Sequence, residues 1–104
     1  MDPAKDKNIK EFVRSLKKKI QVEAVILFGS RATATNLKDS DYDFIIVSQH
    51  FENMPFTDRI REMYEFWNAD APIEPLCYTP EEFKKKKNEI SIVREAVKQG
   101  IIVA

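Results

Sequence analysis

Asp41 and Asp43 stand two residues apart, ahead of the apolar run Phe44-Ile45-Ile46-Val47, and ten residues separate Asp41 from the pair Gly29-Ser30. On a strand, the two-residue side-chain period sends both carboxylates to one face, about 7 Å apart along the backbone. Magnesium takes oxygen ligands at about 2.0–2.1 Å and is commonly held by one or two carboxylates together with substrate phosphates, which such a pair can supply. Glycine at the end of a strand lets the backbone approach a phosphate closely, and the Ser30 hydroxyl and free amides can donate to it. Arg31 follows directly and is placed either to add a charge-assisted contact to the same phosphates or to lie in solvent. Two metals about 3.5–4 Å apart would polarise a transferring phosphate, activate the attacking oxygen and neutralise a leaving pyrophosphate. An Asp-x-Asp alone also occurs in turns and strand starts, where aspartate accepts local backbone hydrogen bonds. Its position after a strand ending in Gly-Ser, across a polar loop, is what favours the chemistry.

The elements needed to position these groups are visible as changes of hydrophobic period. Ile9, Phe12, Val13, Leu16 and Ile20 recur at helical spacing and predict an amphipathic helix over residues 8–19, with Lys17, Lys18 and Lys19 suited to the negative end of its dipole. "EAVILFG" and "DYDFIIVS" read as two strands joined by the polar loop. Phe56, Ile60, Met63, Tyr64 and Trp67 predict a second helix within residues 55–67 whose aromatic stripe covers the sheet. "PIEPLCY" reads as a third strand, and Pro75, which cannot donate to a ladder, points to a sheet edge or a bulge. Thr79-Pro80-Glu81-Glu82 has a capping residue, proline at the first helical position and glutamate three residues after the cap, so a helix begins near Pro80. The "KKKKN" stretch is expected to interrupt it before a fresh stripe of Ile90, Val93, Ala96 and Val97 that stops at Gly100. "IIV" closes as a short strand. Alternating helices and strands without repeats or linkers predict one α/β (α+β) domain over residues 1–104, a small mixed β-sheet flanked by helices.

Composition narrows the function. The chain has 104 residues, and its 17 basic residues balance 17 acidic ones, so no global field draws it to nucleic acid or an anionic membrane. Nucleic acid is therefore an unlikely direct ligand. The single cysteine, Cys77, lies in an apolar run and fits a reducing, cytoplasmic setting. The start of the chain lacks the apolar core of a signal peptide, and no apolar run is long enough to span a bilayer.

Gly29-Ser30, ten intervening residues and Asp41-Tyr42-Asp43 resemble the Gly-Ser-x10-Asp-x-Asp motif of the DNA polymerase β-like nucleotidyltransferase superfamily, and within it the minimal nucleotidyltransferase (MNT) domains. The likeness extends from the first helix to "YTPEEF" and "IVREAVKQGIIV", and no P-loop Gly-Lys-Ser/Thr follows Gly29. The resemblance implies that Gly29 and Ser30 bind the triphosphate of ATP and that Asp41 and Asp43 hold two magnesium ions. It also implies a third carboxylate, normally aspartate on the third strand, which falls on Glu74 here, to ligate the second metal and help deprotonate the acceptor hydroxyl. Glutamate is longer by one methylene, and displacement of a catalytic group by about 1 Å can cost about 100-fold in rate. The plainer alternative is an exposed edge-strand glutamate.

Relatives of this kind are often paired with helical HEPN proteins in toxin–antitoxin systems. The implied activity is transfer of AMP to a protein hydroxyl on such a partner, and the alternative is an antitoxin that neutralises its partner by binding alone. A chain this short has little material for an acceptor domain, so a partner or a subunit interface of an oligomer would complete the site. Three further features have plain structural readings: His50 as an exposed strand-end histidine, the lysines at 84–87 as a solvated segment, and Tyr42 as a core residue facing away from the carboxylates.

Overall fold

The computed structural model describes residues 5–33, 40–89 and 92–104. Half of the stretch "RATATN" that follows Gly29-Ser30, residues 34–36, and Ile90 fall outside them.

Helix α1 spans Lys7–Lys19, and the Asp6 side chain caps it by accepting from the N–H groups of Asn8 and Ile9. It buries Ile9, Phe12 and Leu16, the face expected from their spacing. Strand β1 (Ala24–Phe28) pairs antiparallel with β2 (Tyr42–Val47), which in turn pairs parallel with β3 (Ile73–Tyr78). The parallel pairing requires a crossover, and helix α2 (Phe56–Glu65) lies within it. Helices α3 (Pro80–Lys87) and α4 (Ile92–Gln99) follow, and β4 (Ile101–Ile102) returns antiparallel to β1. The sheet order is β3-β2-β1-β4, so Pro75 lies on an edge strand. A mixed sheet flanked by helices was the expectation from the alternating periods.

The sheet separates two apolar layers. Val25, Leu27, Tyr42, Phe44, Ile46, Ile73 and Cys77 pack with the buried face of α1 and with Met63 of α2. Ile26, Ile45 and Val47 point to the other face and pack with Val93 and Ala96 of α4. Trp67, beyond the end of α2, joins the first layer, its ring 5.4 Å from Phe12, 4.8 Å from Tyr42 and 5.9 Å from Phe44. Its indole N–H donates to the Ala71 carbonyl at 2.7 Å, which satisfies the polar atom of a mostly buried ring. Burial pushes the Cys77 thiol up to about 12, consistent with a packing residue rather than a nucleophile.

Two sequence expectations are corrected. The four lysines at 84–87 do not interrupt α3; they form its last turns, all exposed, and the helix stops at Asn88. Lysine is a good helix former, and cations suit a helix C-terminus, so the charge run extends the helix. The aromatic stripe of α2 is not wholly core: Phe56 and Tyr64 are each 52% exposed, whereas Arg59 is buried. Arg59 donates to the carbonyls of Met54 and Cys77, at 2.8 and 3.1 Å, and to Glu82 at 2.6 Å. Its guanidinium also lies 4.4 Å from the centre of the Phe56 ring. Glu82 serves two elements at once, since it pairs with Arg59 and closes a capping box with Thr79 at the start of α3.

This double role makes Glu82 a sensitive position. Glu82→Ala strands the Arg59 cation and opens the cap, and it is expected to lower stability by about 2–4 kcal/mol in urea denaturation at pH 7. The hydrogen bond from Arg59 holds the Glu82 carboxyl below its ordinary pKa, so its stabilisation is full above that ordinary value and is lost as pH falls through the lowered one. The gap between wild type and variant should therefore narrow in acid; a gap that stays constant would show that the pair does not operate as described.

Candidate functional site

The site is assembled where β1 ends. Phe28, the last residue of β1, is the register partner of Asp43 on β2. At Gly29 the backbone takes a φ of 73°, a left-handed value that favours glycine, and the chain enters a single tight turn, Gly29–Arg31. The Gly29 carbonyl accepts from the N–H groups of Ala32 and Thr33 at 3.1 and 3.3 Å. Asp43 occupies the space a side chain would need: a Cβ added at Gly29 would lie 2.2 Å from Asp43 Oδ2. The Gly-Ser turn and the second aspartate are thus in direct apposition.

The parallel register brings in the third carboxylate, because Asp43 is the partner of Glu74 on β3. Asp43 and Glu74 stand side by side across the parallel ladder. Burial, then the charges of Glu74 and Asp41, and last a polar interaction with Glu74 raise Asp43 to about 6. Asp41 lies one residue ahead of β2, half-buried, and adds to the negative potential. Asp41, Asp43 and Glu74 are therefore neighbours in the fold, with Asp43 central.

The donor set suits a hard divalent cation. Oxygen ligands alone are present, and a cation would relieve the repulsion that helps to raise Asp43. Among the described residues, no group of three or more His, Cys, Asp or Glu side chains is close enough to hold one ion by itself. Magnesium commonly binds one or two carboxylates and completes its shell with phosphate oxygens and water, so the Asp43–Glu74 pair meets its minimum requirement.

A cleft of about 420 Å³ opens beside these groups. Gly29, Asp43 and Glu74 form its polar side, Phe28, Leu76 and Ile92 its apolar side, and α4 adds Glu95 and Gln99. The contribution of α4 was not anticipated from sequence, although a signal existed: if Val93 and Ala96 face the core, then Ile92, Glu95 and Gln99 share an adjoining stripe.

Other candidates sit differently. Ser30 is half-buried beside Gly29, and its carbonyl accepts from the Thr33 hydroxyl at 3.3 Å. Arg31 donates from Nε and Nη2 to the Ser40 carbonyl at 2.9 and 2.7 Å, and its guanidinium stacks 3.8 Å over the Tyr42 ring. It thereby fastens the two ends of the polar loop just before Asp41. Tyr42 is buried as expected, and its hydroxyl donates to Asp6 at 2.7 Å, linking the loop to the cap of α1. His50 is exposed and pairs with Glu62 at 2.7 Å, as a solvent-facing histidine would.

The nucleotidyltransferase domain family matches residues 7–99. No curated protein matches the chain. Among solved structures, the chain is similar to a protein described as a nucleotidyltransferase from Sulfolobus solfataricus, with a TM-score of 0.64 and 22% identity over 91% of this chain and 78% of that one. It is also similar to a toxin-antitoxin solved with AMP-PNP, with a TM-score of 0.62 and 18% identity over 93% of this chain and 73% of that one. BolA1 from Arabidopsis thaliana shares the fold at a TM-score of 0.60 and 17% identity, over 74% of this chain and 96% of that one. At these identities the likeness is one of fold.

Two variants test the geometry. Gly29→Ala puts a left-handed alanine against Asp43 and should cost about 1–2 kcal/mol for the backbone alone, with the clash adding to it, in chemical denaturation. Asp43→Asn should stabilise the protein at neutral pH. A carboxyl raised on folding binds a proton more tightly in the native state, so stability falls as pH climbs from about 4 to about 6. Asparagine escapes that loss, and a gain of about 1–2 kcal/mol is expected at pH 7, below the ~3 kcal/mol that a shift of two units converts to because water screens a half-exposed group. The gain should vanish near pH 4; a variant no more stable than wild type at pH 7 would contradict the crowded-carboxylate geometry.

Proposed function

Because the chain belongs to the nucleotidyltransferase domain family, we propose that it transfers a nucleoside monophosphate, AMP from ATP, to a hydroxyl on a partner protein. The observation that carries this reading is the apposition of the Gly29 turn to Asp43, with Glu74 in register beside it. In the proposed reaction the acceptor oxygen bonds to the α-phosphorus, the bond from that phosphorus to the β-phosphate oxygen breaks, and pyrophosphate leaves. The exposed backbone at Gly29 and the hydroxyl of Ser30 receive the β- and γ-phosphates, and Arg31 is a candidate for the same phosphates through its charge. Asp41, Asp43 and Glu74 would hold the metals, and Glu74, exposed at the sheet edge, would take the acceptor proton. Magnesium, when bound, supplies the positive charge that the triphosphate and the leaving pyrophosphate need.

The partner is proposed to be a toxin of the HEPN kind, with this chain as its antitoxin; the fold shared with a toxin-antitoxin solved with AMP-PNP supports a role of this class. One observation favours a second reading. Among the described residues no three carboxylates close around one ion, an arrangement that also suits neutralisation by binding without turnover.

Calorimetric titration with ATP and magnesium tests the site. Wild type should bind, and the Asp41→Ala, Asp43→Ala double variant should bind at least about tenfold more weakly. Labelled ATP with magnesium and the partner should then label the partner. A double variant that binds the partner but no longer neutralises it supports transfer, whereas full neutralisation by that variant supports the binding-only reading.

A further inference from the structure

The edge of the sheet opposite β3 takes no part in the site. Strand β4 is terminal, with β1 on one side and, among the described residues, no strand on the other. The Val103 N–H donates to the Val25 carbonyl at 2.8 Å, so the alternation of an antiparallel ladder turns the N–H and carbonyl of Ile102 away from β1. The Ile102 side chain is 74% exposed, more than any other large apolar side chain described. Along this edge a groove of about 360 Å³ runs between α1 and β4, its apolar lining supplied by Ile9, Val13, Ile101 and Val103. Lys10 and Arg14 of α1 complete the lining. Both are exposed, and among the described residues neither has an acidic partner.

We propose that the β4 edge and this groove dock an extended, acidic segment of a partner protein, which adds to the sheet as a fifth strand. The outward N–H and carbonyl of Ile102 supply strand pairing, and the groove takes one apolar side chain of a segment whose alternate residues face it. Lys10 and Arg14, with Lys17 on the same side of α1 one turn further on, call for carboxylates at the segment's flanks. Charge also selects the occupant. A second copy pairing β4 with β4 would set the Lys10 and Arg14 rows of both copies beside one another, and like charges across an interface oppose association. Docking here leaves Asp43 and Glu74, on the strands at the other side of the sheet, uncovered. The surface does not depend on the proposed transfer reaction.

The test is a titration of the full ¹⁵N-labelled chain with a short capped peptide alternating valine and glutamate, followed by amide shifts. Shifts are expected at Ile101, Ile102 and Val103 and along the facing turns of α1, and the same peptide with lysine for glutamate should produce none. Lys10→Glu with Arg14→Glu, both at exposed positions, should weaken binding by about tenfold. Ile102→Pro removes only an outward-facing N–H, leaves the pairing with β1 intact, and should abolish binding. The proposal is overturned by absence of shifts at β4, by equal binding of the lysine peptide, by indifference to charge reversal, by full binding of Ile102→Pro, or by concentration-dependent dimerisation through β4.

Discussion

The close approach of the Gly29 backbone to the Asp43 carboxylate is the contact on which the rest of the site depends. Any Cβ at position 29 would enter the space of Asp43 Oδ2, so the turn and the aspartate can meet only because one of them has no side chain. The left-handed φ at Gly29 serves the same end, since it turns the chain sharply as β1 finishes and leaves the turn beside the carboxylates. Gly100 has a comparable role beside the same end of β1, on the β4 side. A Cβ there would lie 2.6 Å from Ile26 and 2.4 Å from the Ala96 carbonyl, so glycine lets α4 end against the sheet and feed β4.

Strand pairing then converts local geometry into a charged cluster. Antiparallel pairing sets Phe28 opposite Asp43, and parallel pairing sets Asp43 opposite Glu74, so one central residue is shared by two ladders. Crowding carboxylates in this way costs stability, as the raised Asp43 pKa shows, and such costs are characteristic of sites built to receive a cation or a substrate. On the opposite face the same strands carry no charge. Tyr42, Phe44 and Trp67 pack there, and a hydrogen bond from the Tyr42 hydroxyl to Asp6 secures the start of α1. Rigidity on that face holds the backbone from which Asp41 and Asp43 project.

The sheet is also unequal at its two edges. β3 is covered by α2 and anchored through Arg59, whose guanidinium binds the Cys77 carbonyl and Glu82 together. β4 is two residues long, carries Ile102 into solvent and is bordered by Lys10 and Arg14 of α1, which have no acidic partner among the described residues. Catalytic candidates and open edge therefore occupy different parts of one small sheet.

Much of this was legible from residue types. Helical spacing located α1 and α4, Thr79-Pro80 and Glu82 marked the start of α3, and Pro75 indicated an edge strand, because capping, proline geometry and amphipathic period are local properties. Gly29-Ser30 and Asp41-x-Asp43 stood out for the same reason, and membership of the nucleotidyltransferase family agrees with them. The break expected across KKKKN falls only at its last residue, Asn88, because lysine is a good helix former, and Phe56 and Tyr64 stay largely outside the core because hydrophobicity alone does not reveal a buried cation such as Arg59. Sequence by itself determined the elements and the chemical types available to a site. Tertiary structure alone decided that Glu74 stands in register with Asp43, that Arg31 reaches Ser40 and Tyr42, and that α4 lines the cleft. Register and packing bring together residues far apart in the chain, and no local propensity encodes that meeting.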